Sequence, residues 1–97
     1  MNACDNLSRS IRLLEASGYT CSRADKNLQP WDVFGIGPTD MVLVRIVTGY
    51  WPNPEALTPL CEFPSPPNCK KLVHQWRDGA ELPTVHLVPK SNLYLAV

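Results

Sequence analysis

Apolar residues recur in this chain with two different periods. Over residues 5–17, Leu7, Ile11 and Leu14 fall at helical spacing, and Leu13 widens their stripe. Asp5 stands where a side chain would cap the first amides of such a helix. Gly18 stands where a left-handed residue would end it. Arg9, Arg12 and Glu15 lie largely off the stripe, on a face read as solvated. From residue 19 the period shortens. Tyr19-Thr20-Cys21-Ser22-Arg23 favours a strand, and residues 24–30 read as a polar loop. Residues 31–36 and 41–48 are two β-rich runs around the turn Gly37-Pro38-Thr39-Asp40, which predicts a β-hairpin. Val33 and Phe34 are expected on opposite faces of it. The second run is nearly continuous in apolar residues from 41 to 47, with Arg45 its one charge, as in a central strand covered on both sides.

Beyond Gly49, Asn53 is placed to cap a short helix with Pro54 in its first turn. Leu57, Leu60, Cys61 and Phe63 extend its apolar face, while Pro59 threatens to cut it short. Residues 64–67, Pro-Ser-Pro-Pro, form a stiff connector. Within 68–78, Leu72, His74 and Trp76 alternate with Val73, Gln75 and Arg77. The strong turn signal Asp78-Gly79 favours a strand there over a helix built on Leu72, Val73 and Trp76. Residues 82–88 read as a last strand, which Pro83 assigns to a sheet edge. The apolar stretch 93–97 suits a further short strand. Helix, strand, hairpin, helix, strand, strand predicts an α/β fold, a small mixed β-sheet flanked by helices, in one domain over residues 1–97.

Composition narrows the function classes. Nine basic residues balance nine acidic ones, and the pI is about 6.7, so a tight non-specific nucleic-acid binder is disfavoured. No apolar run has the roughly 18–20 residues needed to span a bilayer, and no membrane partner is expected. The first residues lack the charged start and apolar segment of a signal peptide, which points to the cytoplasm. Cys4, Cys21, Cys61 and Cys69 show no CxxC pair, and nothing in the spacing recruits His74 or His86 to a metal cluster. The cysteines read as reduced thiols; a Cys61–Cys69 disulfide would not persist in a reducing compartment.

One stretch carries a resemblance. Gly18-Tyr19 closing a helix, a polar loop, and then Trp31-Asp32-Val33-Phe34-Gly35-Ile36 resemble the core of the PD-(D/E)XK nuclease superfamily, most closely its small Holliday junction resolvase-like members. The likeness covers residues 7–88 and implies a restriction-endonuclease-like core. In that family an Asp on one hairpin strand, followed on the next by an acid or Gln, a spacer and a Lys, holds a divalent cation that activates water. The resemblance makes Asp32 the catalytic and metal residue, with Mg2+ as cofactor if the domain is active. Arg45-Ile46-Val47 stands where acid, spacer and Lys belong. Arg45 has donors only and would repel a cation, and Val47 carries no charge. The family's acid in the first helix falls to Asp5 or Glu15, with nothing to choose between them. Asp40 would lie at the opposite end of the hairpin from Asp32, and Glu62 and Gln75 are more distant substitutes. The structural alternative is an ion pair between Asp32 and Arg45 on adjacent strands.

The expected function is therefore a nuclease-like domain that has lost catalysis and binds nucleic acid or protein. For DNA, Arg23, Lys26, Arg45, Lys70, Lys71 and Arg77 are the candidate contacts, with Trp31, Trp51 and Trp76 available for stacking. Core packing is the plainer use of the three Trp, and a scattered solvated surface the plainer use of the basic residues. Two alternatives stand beside this reading. One is an active metal-dependent endonuclease with a relocated acid. The other is a structural homodimer joined through Leu93, Leu95 and Val97.

Overall fold

The computed structural model describes residues 3–24, 29–49, 51 and 54–88. Lys26 and the apolar stretch 93–97 lie outside them. The chain forms α1 (Ala3–Ala16), β1 (Thr20–Arg23), β2 (Val33–Ile36), β3 (Met41–Thr48), α2 (Pro54–Glu62), β4 (Cys69–Trp76) and β5 (Thr84–Leu87). The five strands make one sheet in sequence order. Only β3 and β4 run parallel, because α2 carries the chain between them; the other neighbours are antiparallel. The expected α/β fold with a mixed sheet between helices is what forms. No helix of the described residues is long and apolar enough to cross a membrane.

Helix α1 begins earlier than its apolar stripe, so Asp5 lies within the first turn and not at the cap. Its end is set by Gly18, whose φ of 101° suits the left-handed region. The Gly18 amide donates to the Glu15 carbonyl and the Tyr19 amide to that of Leu14, so two otherwise orphaned carbonyls are satisfied. Pro59 does not stop α2. The helix is held from outside, by Leu60 buried in the sheet with Leu57 and Cys61 beside it. Tertiary packing there outweighs the missing amide.

Each face of the sheet carries one apolar cluster. Leu14 of α1 packs with Val33, Val42 and Val44, joined by Leu7, Ile11 and Leu72. On the other side, Leu60 packs with Leu43, Cys69, Val73 and Val88, joined by Trp31, Phe34 and Val47. Strand alternation thus splits β3 between two cores, and Val33 and Phe34 do face opposite ways. Strand β5 pairs with β4 alone and forms one edge, as Pro83 suggested. Cys21, Cys61 and Cys69 are free thiols.

Candidate functional site

Asp32 lies just before β2, at the end of the hairpin where β3 runs on alone. Its amide donates to the Val44 carbonyl and its carbonyl accepts the Ala24 amide. The carboxylate accepts the Ile46 amide at 2.7 Å. A side chain thereby replaces the backbone acceptor that β2 no longer supplies to β3. The ion pair with Arg45 does not form among the described residues; one carboxylate oxygen takes the Ile46 amide instead. Asp32→Ala should lower stability by about 1 kcal/mol, a single exposed hydrogen bond, as measured by urea unfolding. A loss above about 3 kcal/mol would show that the carboxylate does more.

Among the described residues, the neighbours of Asp32 do not complete a cation site. Arg45 and Val47 alternate with Ile46 along β3, and Val47 packs against the α2-side core. Among the described residues, no group of three or more His, Cys, Asp or Glu side chains could hold a metal ion. Asp40 is remote from Asp32 and already engaged. Both its carboxylate oxygens take the Tyr19 hydroxyl, at 2.9 and 2.8 Å, and Lys70 lies 3.3 Å away. That hydrogen bond, with burial and the carboxylate charge behind it, holds the Tyr19 hydroxyl above its usual pKa. Gln75 is also committed, donating to the Gly49 carbonyl and meeting His86 through its own oxygen.

The basic residues do not collect on one surface. Lys71 is buried and donates to the carbonyls of Cys61 and Phe63 at the end of α2. Lys70, one residue away, points to the opposite face and pairs with Asp40. Arg23 reaches Ser8 on α1, while Arg45 belongs to the α2 face. Arg77 is exposed beyond the end of β4. Of the three Trp, Trp76 is core, Trp31 meets Phe63 edge-on, and Trp51 lies against His86.

Two features escape a linear reading. The first is a polar cluster under α1. Ser10 is fully buried; its hydroxyl accepts the Trp76 indole N–H at 2.8 Å and lies 2.9 Å from His74 Nδ1. Arg9 stacks on the Trp76 ring at 4.0 Å and donates to the carbonyls of Ala80 and Glu81. The trace in the sequence is Ser10 inside the stripe of Leu7, Ile11 and Leu14, opposite two polar-tipped residues of β4 at period two. Burial lowers the pKa of His74 from its ordinary 6.5. Its neutral form stabilises the fold fully above about pH 6.5, and that contribution is lost as pH falls below it toward the folded pKa. Unfolding free energy should therefore drop as pH falls below about 6.5, and His74→Gln should flatten this drop. An unchanged slope in the variant would rule His74 out as its source.

The second is a groove. Helix α1 leaves the α1 face of β4 and β5 partly uncovered, and a groove of about 770 Å³ opens there. Leu13, Leu72, His74, Val85 and Leu87 line it, with Leu82 at one end and Lys70 at the other. Leu82, Val85 and Leu87 are 65%, 55% and 70% exposed. Its signal was Val85 and Leu87 at period two on an edge strand, but which face lacked a helix was not written locally. No family model, curated protein or solved structure matches the chain.

Proposed function

We propose that this chain is a nuclease-like domain without metal-dependent catalysis, acting as a binding module for a protein partner. The observation that carries the first half is the Asp32 carboxylate, held by the Ile46 amide and followed on β3 by Arg45 and Val47. An electropositive neighbour and an apolar one leave a divalent cation with a single weak acidic ligand there. The order of α1, an antiparallel three-strand unit, α2 and a parallel strand is compatible with the nuclease resemblance.

A protein is favoured over nucleic acid as the partner. Of the six candidate DNA contacts, Lys71 is buried, and Arg45 lies on the opposite face of the sheet from Arg23 and Lys70. Phosphate binding draws its affinity from cations gathered along one track. Apolar surface, by contrast, gathers at the α1–β5 groove, where exposed Leu82, Val85 and Leu87 adjoin one another. The pure protein, incubated with branched and plasmid DNA and millimolar magnesium or manganese, should cut no more than Asp32→Ala does. Metal-dependent cutting lost in Asp32→Ala would overturn this reading. So would DNA binding that weakens steeply with salt and is lost in Arg45→Ala.

A further inference from the structure

We infer that the α1–β5 groove receives an amphipathic helix of a partner protein, with carboxylates along its flank. This rests on the binding-module reading and names its partner. Strands lie about 4.8 Å apart and a helix is about 10 Å across, so one helix covers roughly two strands. On the α1 face, α1 packs its apolar stripe over β2 and β3, and the groove lies beyond it over β4 and β5. It is bounded by Leu13 of α1 and floored by Leu72 of β4 and by Val85 and Leu87 of β5. Strand β5 has four residues, a length of about 13 Å, which matches two to three helical turns. The loop that Arg9 ties to α1 closes one end. An extended strand at the free edge of β5 would leave Val85 and Leu87 uncovered, because both side chains point from the sheet face and not from its edge.

Charge and area choose among occupants. Among the described residues, Lys70 is the one charged member of the groove lining. Asp40 lies 3.3 Å from its ammonium, but the Lys70 side chain is 60% exposed and keeps donors free for a partner carboxylate. A second copy is a poor occupant. α1 turns Asp5, Arg12 and Glu15 outward, and α2 turns Glu55, Thr58 and Glu62, so neither helix has a second apolar stripe to donate. Two copies meeting at Leu82, Val85 and Leu87 would each bury on the order of 300 Å², against about 800 Å² per partner in a stable complex.

The test uses the full chain, isotope-labelled, and a capped helical peptide of about four turns with Leu at i, i+3, i+4 and i+7 and Glu on its flanks. A matched peptide carries Lys on the flanks instead. Amide shifts on titration should centre on Leu13, Leu72, Val85 and Leu87. The Glu-flanked peptide should bind about tenfold tighter than the Lys-flanked one, and Lys70→Glu should reverse that order. Val85→Lys, at an exposed position, should weaken binding at least about tenfold while the fold persists. Shifts centred elsewhere, or equal binding by Val85→Lys, would overturn the inference. Contacts of residues 93–97 with Leu87 in the free chain would overturn it in favour of the chain's own tail. A dimer dissolved by Leu87→Lys would do so in favour of a second copy. A protein that neither cuts DNA nor takes up the peptide defeats this inference alone, whereas metal-dependent cutting defeats the reading beneath it.

Discussion

Replacing Trp76 by Ala will lower the stability of the folded chain by about 3–5 kcal/mol, the range for deleting a large buried aromatic. Trp76 is among the largest fully buried side chains, and three separate interactions end on it. Its ring fills the space under α1, its N–H satisfies the buried Ser10 hydroxyl, and its face receives Arg9. Arg9 in turn anchors the turn after β4 to α1 through the carbonyls of Ala80 and Glu81. A domain of this size has a total stability of about 5–15 kcal/mol, so a single truncation removes a fifth or more of it. Trp76→Phe separates the contributions: it keeps most of the volume and a weaker cation–π contact but removes the indole N–H, leaving the Ser10 hydroxyl with His74 alone. Its loss should be about 1–2 kcal/mol. Urea unfolding followed by circular dichroism measures both. A loss under about 1 kcal/mol for Trp76→Ala would mean that the cluster contributes little to holding α1 on the sheet.

The second large effect is at Lys71. Lys71→Met should lower stability by about 2–4 kcal/mol while leaving any nucleic-acid affinity unchanged. The buried ammonium donates to the carbonyls of Cys61 and Phe63, where α2 ends and its unpaired carbonyls carry partial negative charge. Met keeps the length and apolar stem but removes both charge-assisted bonds. The carbonyls are then left facing apolar surroundings. Lys70→Met is the control one residue away. That side chain is mostly exposed, and its loss should fall within about 1 kcal/mol. If the two variants unfolded at the same urea concentration, the assignment of Lys71 to the end of α2 would fail.

Lys70 and Lys71 also show where a linear reading stops. As a pair they are two adjacent cations on a strand. Their parity predicts opposite faces, and nothing local says which face is covered at that point. The same holds along the groove. Val85 and Leu87 alternate as a half-buried strand should, but among the described residues no helix covers them at that end of the sheet. For Asp32, the sequence offered a cation ligand or a partner for Arg45, and the structure adds a use that neither reading contained, as acceptor of a backbone amide. Its place just outside β2 puts it on the Ile46 amide. That outcome depends on β2 beginning only at Val33, opposite Val44, so that it supplies no backbone acceptor to Ile46, a matter of register that no motif contains. Ser10 was the more legible miss, since a hydroxyl within an apolar stripe requires a buried partner.

What the sequence determined by itself was local. Helical periodicity set α1, a nearly continuous apolar run set β3, period-two alternation set β4, Gly18 set the end of α1, and Pro83 set β5 at an edge. These follow from the geometry of a few neighbouring residues, which the chain carries with it in any context. The tertiary structure decided the rest: the bond of Asp32, the burial of Lys71, the Ser10–His74–Trp76 cluster and the open side of β5. Each of these depends on which layer comes to lie over which strand, and so on contacts between residues far apart in the chain.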